Sequence, residues 1–309
     1  MIDWKSQRVL MSGASGFIGS ALCQKLMELG CSDVNGIYRA SNAKVELRKY
    51  GQSVLWHSYD GTIDSVKSMF LKCKPTLVVH LAAKTVVQHK AEDIDDLLDV
   101  SLRLPSFLAE YASGLEKCCF INTGSFWTHY LTPAYRPVNL YAATKQAFED
   151  LLEYYLDATS LTGTTLVLPD TYGLGDTRTK LIPYLFKQLH SKEQIFLSPG
   201  QQKIDLLHKD DVTSAFILVA ERLLRREAVG RKYRLTSGRL LSIRELVQEI
   251  EALSGSVFNA NWGASAYRER ELMEPYGSEE ILPHWQANIS LQDGVKAMLM
   301  TSPSNASPS

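Results

Sequence analysis

Short apolar runs alternate with longer amphipathic segments through the first half of the chain. The runs have the length of strands, and the longer segments repeat apolar residues at the period of a helix. This alternation predicts a parallel sheet that is covered by helices on both faces. We place strands near 8–12, 33–38, 54–58, 76–81, 117–122 and 163–168, and helices near 17–30, 62–73, 91–113 and 141–161.

The regular alternation ends after Pro169, where shorter elements follow connections rich in glycine and proline. This change predicts a second unit that is smaller than the sheet domain. The polar segment 301–309 is predicted to be a disordered tail. The predicted boundaries are 1–169 for the sheet domain, with 205–228 returning to it, and 170–204 with 229–300 for the smaller lobe.

Composition excludes several classes of protein. The 309 residues carry a formal net charge of -1, so we expect no general attraction to nucleic acid or to an anionic membrane. No apolar stretch approaches the ~20 residues that span a bilayer, and the first residues lack the apolar core of a signal peptide, so we expect a cytoplasmic protein. The five cysteines are odd in number and lack metal-ligand spacing, which predicts reduced thiols and no metal site.

Three glycines follow the first predicted strand at a spacing of three residues: Gly13, Gly16 and Gly19. Apolar residues at helical period come directly after them, so the segment has the order strand, tight turn, helix. Such a turn lets the backbone approach a pyrophosphate closely, and the amino terminus of the helix favours the negative charge. Although the spacing is not G-x-G-x-x-G, its context predicts a dinucleotide site.

Tyr141 and Lys145 stand four residues apart, which places two side chains side by side on a helix. A neighbouring ammonium favours the phenolate, so we expect Lys145 to move the pKa of Tyr141 towards the neutral range, where the phenol can exchange a proton. The same spacing occurs by chance on solvated helices. The glycine-rich turn earlier in the chain favours the interpretation of Tyr141 and Lys145 as a proton-transfer pair.

In order and spacing, these motifs resemble the extended short-chain dehydrogenase/reductase family, in its branch of nucleotide-sugar epimerases, dehydratases and reductases. Segments 122–127 and 170–173 look most like the NADPH-dependent 4-keto reductases of CDP-sugars, the CDP-abequose and CDP-paratose synthase type. The resemblance spans nearly the whole chain. It implies an α/β fold with a Rossmann-like doubly wound parallel sheet and a smaller C-terminal substrate-binding lobe. It also implies a homodimer through the helices near 91–113 and 141–161, although the apolar faces of these helices could equally belong to the core of one chain.

Arg39 ends the second predicted strand, where the adenosine ribose lies in the resembling family. A planar guanidinium suits a 2′-phosphate, so we expect NADP(H) as the cofactor. Lys44 and Arg48 could add to this charge or belong to a solvated helix face, and Asp60 could bind the adenine or form a turn. The resemblance implies cofactor contacts from Gly13, Ser15, Gly16, Phe17, Ile18, Gly19, Arg39, Ser41, Asp60, Gly61, Leu81, Ala82, Ala83, Lys84, Tyr141, Lys145 and Pro169.

The resemblance also implies the chemistry. Tyr141 would protonate the oxygen of a sugar ketone, Lys145 would favour the phenolate and bind the nicotinamide ribose, and Thr123 would orient the substrate oxygen, with Ser125 as the competing hydroxyl. Family dehydratases carry Asp-Glu where this chain has Gly124 and Ser125, which argues against a dehydratase. We therefore expect NADPH-dependent reduction of a nucleotide-linked 4-keto-6-deoxy sugar. An epimerase with tightly bound NAD(P) and a non-enzymatic NADP(H) sensor remain the alternatives.

Substrate contacts are harder to predict, because the resembling family carries Arg before Asp205 and this chain has Ile204. The candidate replacements are cations that could equally be solvated. His80 is expected to be a core residue, and His129 and His208 are weak candidates for the cleft. The predicted substrate residues are Thr85, Thr123, Ser125, Asp170, Lys180, Leu181, Gln201, Lys203 and Arg268.

Overall fold

The computed structural model describes residues 2–39, 53–189, 191, 193–277 and 279–301. Within these ranges the strands are β1 (Arg8–Ser12), β2 (Asp33–Arg39), β3 (Leu55–Tyr59), β4 (Leu77–His80), β5 (Cys119–Ser125), β6 (Thr162–Leu168), β7 (Asp170–Tyr172), β8 (Ile195–Leu197), β9 (Lys203–His208), β10 (Lys232–Arg234), β11 (Leu240–Ser242) and β12 (Ala260–Trp262). The α-helices are α1 (Phe17–Glu28), α2 (Ile63–Cys73), α3 (Ile94–Leu98), α4 (Leu104–Ser113), α5 (Leu140–Ala158), α6 (Leu181–Gln188), α7 (Lys209–Leu224), α8 (Ile243–Ser254) and α9 (Leu291–Met300). A π-helical turn, Asp99–Arg103, joins α3 to α4.

The large sheet has seven strands in the order β10-β6-β5-β4-β1-β2-β3. All of its neighbouring strands are parallel, and helices follow the strands on both faces. The order reverses between β1 and β4, so the connections after these strands leave in opposite directions and open a crevice at their carboxyl ends. The predicted doubly wound α/β fold is confirmed, and the six predicted strands lie within a few residues of their expected positions.

Two apolar layers cover the large sheet, because successive residues of a buried parallel strand point to opposite faces. Val9 and Met11 of β1 face the layer that contains α1 and α7, whereas Leu10 faces the layer of α2, α4 and α5. In that second layer Phe120 of β5 packs on Phe148 of α5, with ring centroids 5.9 Å apart. The contact fixes α5 across the middle of the sheet.

The rest of the chain forms two small sheets, one of β11, β9 and β7 and one of β12 and β8. A third apolar cluster lies among these strands and α6, α8 and α9. The division into 1–169 and a smaller lobe stays a prediction. One element differs from this division. The predicted boundaries place β10 in the smaller lobe, but β10 pairs with β6, and the side chain of Tyr233 joins the core of the large sheet.

Several predictions fall outside the described residues, namely those on Ser41, Lys44, Arg48 and the tail after Thr301. In the described part of the chain, the helices are all too short or too polar to cross a membrane. All five cysteines are buried and unpaired, and the described residues contain no group of three or more potential metal ligands. The cytoplasmic location and the homodimer stay predictions.

Candidate active site

A cleft of about 460 Å³ opens at the carboxyl ends of the central strands. It brings together predicted residues from distant parts of the chain, which are Gly13, Ser15, Gly16, Phe17, Ile18, Gly19, Arg39, Leu81, Ala82, Ala83, Lys84, Thr85, Thr123, Ser125, Tyr141, Pro169, Asp170 and Lys180. The predicted residues outside its lining are Asp60, Gly61, Lys145, Leu181, Gln201, Lys203 and Arg268. The lining residues that sequence reasoning missed are Ser12, Ile37, Tyr38, Tyr59, Val100, Leu104, Gly124, Phe126, Trp127, Leu168, Thr171 and Arg178.

The glycine-rich turn forms the floor of the cleft between β1 and α1. Gly13 has a φ of 73°, and a Cβ atom there would lie 2.6 Å from the backbone nitrogen of Ala82, so a side chain would be both strained and blocked. Gly16 N donates to Gly13 O at 2.9 Å and caps α1 without a side-chain hydrogen bond from the described residues. The first N–H groups of α1 therefore face the cleft, which fits the pyrophosphate of a dinucleotide.

Tyr141 lies in the first turn of α5, whose start is fixed by Asn139. The Asn139 side chain accepts from Ala142 N at 3.0 Å and donates to the carbonyl oxygens of Val86 and Val87 at 3.2 Å each. The Tyr141 ring meets the Trp127 ring edge-on, with centroids 6.2 Å apart. The cap and the ring contact together hold the phenol over the ends of β4 and β5.

Burial raises the pKa of Tyr141 to about 12. Hydrogen bonds with the side chains of Thr85 and Ser125 lower it, Asp170 raises it, and Arg178 lowers it. The sequence expectation was that Lys145 would bring this pKa towards neutrality. The expectation is wrong for the protein alone, because burial is the largest effect on this pKa and the positive charge that opposes it is that of Arg178.

Lys145 lies one turn further along α5, beneath the cleft and not in its lining. Its side chain is buried, and Nζ has no hydrogen-bond partner among the described residues. Burial lowers the pKa of Lys145 to about 8, and the Glu149 carboxylate opposes this shift. An unpaired ammonium at this depth is available to a hydroxyl of a bound ligand, as a ribose contact requires.

Two hydroxyl groups of β5 compete for the role of orienting a substrate oxygen. Ser125 Oγ accepts from Trp127 N at 3.3 Å, and the Ser125 side chain lowers the pKa of Tyr141. Thr123 Oγ1 is buried and has no partner within the described part of the chain. Ser125 thus already accepts a hydrogen bond from the backbone, whereas the hydroxyl of Thr123 is free to donate to a ligand in the same cleft.

Where the cleft reaches the end of β2, Arg39 is already paired with carboxylates. Its Nη1 lies 2.9 Å from Asp96 Oδ1 and its Nη2 lies 3.4 Å from Asp99 Oδ2. Lys84 contacts Asp93 at 2.8 Å and the same Asp96 at 2.9 Å. Arg39, which we expect to contact a 2′-phosphate, lines the cleft and forms ion pairs with acidic residues of α3 and the π-helical turn.

Asp60 lies outside this end of the cleft and forms a turn. Its carboxylate accepts from Thr62 N at 2.9 Å and from Thr62 Oγ1 at 2.6 Å, directly before α2. These hydrogen bonds lower the pKa of Asp60. The geometry is that of the turn-forming alternative, and the adenine contact stays a prediction.

On the substrate side, Lys180 lies 3.2 Å from Asp170 and both line the cleft. The other predicted cations are placed elsewhere, because Lys203 pairs with Glu274 and Arg268 with Glu271, each at 3.2 Å. Gln201 N donates to the hydroxyl of Tyr267 outside the lining, and Leu181 begins α6. Lys180 is therefore the one predicted replacement for the missing diphosphate arginine that the described structure places in the cleft.

Arg178 is a cleft residue that the sequence did not single out. Its guanidinium lies 4.3 Å from the centre of the Phe17 ring, donates to Asp176 at 2.7 Å, and donates to Thr171 O at 2.9 Å. These contacts fix a planar cation between the glycine-rich turn and β7. Its position two residues before Lys180, in the loop after β7, was the available sequence signal.

The three histidines considered in the sequence analysis have structural contacts. His80 is fully buried, as expected, with Nδ1 2.7 Å from Ser12 Oγ. His129 Nε2 lies 2.8 Å from Glu279, and His208 Nδ1 accepts from Asp210 N at the start of α7. Neither His129 nor His208 lines the cleft, so neither weak candidate is supported by the geometry.

The family follows from a comparison with known proteins. Residues 9–233, more than half of the chain, match the model of the NAD dependent epimerase/dehydratase family. The chain belongs to this family. Its glycine-rich turn, cleft hydroxyls and Tyr141 all lie within the matched part.

Members of the NAD dependent epimerase/dehydratase family resemble the chain over most of its length. CDP-abequose synthase of Salmonella typhimurium is 27% identical over 301 residues, which cover 94% of this chain and 97% of that protein. CDP-abequose synthase of Yersinia pseudotuberculosis is 28% identical over 271 residues, covering 87% and 91%. UDP-glucose 4-epimerase of Thermus thermophilus, solved with NAD, has a TM-score of 0.80 at 21% identity, covering 95% of this chain and 98% of that chain.

Proposed function

We propose that this protein uses NADPH to reduce a nucleotide-linked 4-keto-6-deoxy sugar, with a CDP-sugar favoured. The observation that carries the proposal is the buried side chain of Tyr141, which lies in one cleft with the hydroxyl groups of Thr85 and Ser125 and with the glycine-rich turn. A proton donor and a dinucleotide site thus share one enclosed space. This arrangement suits proton transfer to an oxygen whose carbon receives a hydride.

In the proposed reaction, the chain handles the proton and the orientation. A bound nicotinamide dinucleotide would supply the hydride for the carbonyl carbon. Tyr141 donates its proton to the carbonyl oxygen, while Ser125 and the free donor of Thr123 hold that oxygen in place. The charge of Lys145 stabilises the phenolate that remains until a proton returns from solvent.

The lining of the cleft argues against a dehydratase. Eliminating water needs an acid and a base in addition to the tyrosine. Among the described lining residues, Asp170 is the one carboxylate, and it pairs with Lys180 at 3.2 Å. The positions after Thr123 hold Gly124 and Ser125, neither of which can serve as a strong acid or base.

The relatives support a nucleotide sugar as the substrate and a CDP-linked one in particular. Two of the similar proteins are CDP-abequose synthases, and one matches along 94% of this chain. Two fixed cations of the cleft, Lys180 and Arg178, fit a diphosphate group.

A second candidate is a nucleotide-sugar epimerase that retains its cofactor. One observation favours it, since the pairing of Arg39 with Asp96 and Asp99 lowers the positive charge available to a 2′-phosphate. The solved structures with this fold include UDP-sugar 4-epimerases in complex with NAD.

The two candidates differ in whether cofactor is consumed. The purified protein is incubated with NADPH or NADH and a panel of CDP-, dTDP-, GDP- and UDP-linked 4-keto sugars, and the absorbance of the reduced cofactor is followed. A reductase consumes it in proportion to ketone and gives one alcohol configuration. Product formation from an alcohol substrate without added cofactor would establish the epimerase, and no reaction with any 4-keto sugar would refute the reductase.

A further inference from the structure

One face of α5 carries three functional groups in succession: Tyr141, Lys145 and Glu149. They are four residues apart, so each lies one turn beyond the last. All three are buried, and only about 6% of the Glu149 side chain is exposed. A carboxylate is costly to bury unless it serves a partner, and this one lies one turn from a buried ammonium.

The backbone of β5 leaves room for this carboxylate. A Cβ atom on Gly124 would lie 2.7 Å from Glu149 Oε1, which is too close for a side chain. Gly124 is the residue between Thr123 and Ser125, the two hydroxyl groups of the cleft. Glu149 therefore packs directly beneath the strand segment that faces the substrate.

A half-buried cation accompanies Glu149. Lys232 Nζ lies 2.7 Å from Glu149 Oε2 and 3.3 Å from Glu279, which also contacts His129 at 2.8 Å. Burial raises the pKa of Glu149, whereas the charges of Lys232 and Lys145 lower it. Burial is the larger effect on this pKa, and the ion pair with Lys232 at 2.7 Å is the contact that favours the ionised carboxylate.

The other titratable groups around Lys145 do not supply a counter-charge. His80 of β4 is fully buried, and burial together with the Lys145 charge holds the pKa of its imidazole well below its usual value. Tyr141 keeps its proton because burial raises its pKa. Asn122 of β5, level with His80 in the sheet register, is uncharged. Glu149 is the acidic group that opposes the loss of charge on Lys145.

We propose that Glu149 is a positioning residue whose buried carboxylate keeps Lys145 charged beside Tyr141. The inference rests on the proposed roles of Tyr141 and Lys145 and adds a third member to that pair. Gly124 admits the carboxylate, and Lys232 balances it. Glu149 does not line the cleft, and in this proposal it acts on the reaction through Lys145.

The test measures Lys145 directly in the cofactor-free protein. The ¹³Cε shift of Lys145 is followed by NMR between pH 6 and pH 11, with its assignment made from the signal lost in Lys145→Arg. In the wild type we expect a midpoint near pH 8. In Glu149→Gln we expect the midpoint to fall by about one pH unit, because an adjacent opposite charge has been removed. Glu149→Asp retains the charge, so its Lys145 midpoint should lie close to that of the wild type.

Glu153→Gln is the matched control, because Glu153 lies one turn further along α5 but is exposed. It should leave the Lys145 midpoint unchanged. An unchanged midpoint in a folded Glu149→Gln protein would overturn the proposal. If that variant does not fold, the ¹³Cδ shift of Glu149 in the wild type decides, since a carboxyl that is protonated at pH 7 cannot act in this way.

This measurement is independent of turnover, so it separates the inference from the proposed function. If Glu149→Gln lowers the Lys145 midpoint but the wild type reduces no 4-keto sugar, the inference about Glu149 stands and the reductase assignment is refuted. In an active reductase, the pH at which kcat falls on the alkaline side should move down with the Lys145 midpoint in Glu149→Gln. A loss of activity at every pH without such a displacement would indicate a merely structural role.

Discussion

Cofactor preference should depend on a competition between the 2′-phosphate and the carboxylates that already hold Arg39. In the structure Arg39 contacts Asp96 and Asp99, and Lys84 contacts Asp96 from the other side. A 2′-phosphate bound here must draw both cations away from Asp96. Removing the Arg39 guanidinium should therefore weaken NADPH binding, and removing the Asp96 carboxylate should strengthen it.

The magnitudes follow from the kind of contact and its exposure. A charge-assisted hydrogen bond to phosphate contributes about 1.5–3 kcal/mol, so Arg39→Ala should raise the Kd of NADPH by about ten- to a hundredfold. NADH lacks the phosphate and should change by less than about twofold. The Asp96 side chain is 48% exposed, and such surface pairs contribute about 0.2–1 kcal/mol. Asp96→Asn should thus tighten NADPH by up to about fivefold.

The assay is fluorescence titration of each variant with NADPH and NADH at one fixed ionic strength, because salt screens these contacts. Arg103→Ala is the control, since Arg103 also lies near Asp99, at 3.5 Å, but is 58% exposed and outside the cleft lining. It should affect neither cofactor. Equal weakening of NADPH and NADH by Arg39→Ala, or weaker NADPH binding in Asp96→Asn, would refute the reasoning.

Two further predictions concern the Tyr141 and Lys145 pair. Tyr141→Phe keeps the ring contact with Trp127 but removes the proton donor. Steady-state kinetics should show kcat lower by about 10²–10⁴-fold, while the Kd of NADPH, measured by titration, stays within about twofold. An unchanged kcat would contradict the role of the phenol. Lys145→Met removes a buried ammonium whose pKa is lowered from 10.5 to about 8. Below pH 8 the charged Lys145 costs the folded state about 3 kcal/mol, and this cost disappears as the pH rises from about 8 to 10.5. In denaturant unfolding, Lys145→Met should therefore be more stable than the wild type at pH 7 and should lose this advantage by pH 10.5. A constant difference over that range would contradict the shift.

The features that sequence could predict are those set by neighbours along the chain. The glycine-rich turn, the start of α1 and the Tyr141 to Lys145 spacing are local patterns, and the structure places the turn and Tyr141 in one cleft. Strand positions followed from apolar runs for the same reason. Because parallel strands end at one edge of the sheet, residues after β1, β4 and β5 had to meet there.

Features that depend on distant packing were not readable. Arg39 and Asp96 are 57 residues apart, and their pairing arises only because α3 packs beside the end of β2. Tyr141 was expected to be acidified by Lys145, but the pKa is raised by burial, a property of the assembled site. The strand β10 has three residues and no distinct pattern, and it is defined by its pairing with β6.

The raised pKa of Tyr141 bears on the direction of the reaction. A phenol whose pKa is about 12 holds its proton at neutral pH, so it begins the cycle as an acid, which is the form that reduces a ketone. Oxidising an alcohol would require the phenolate as a base, and burial disfavours that form. The burial of Tyr141 therefore fits its role as the proton donor in the reduction that we propose.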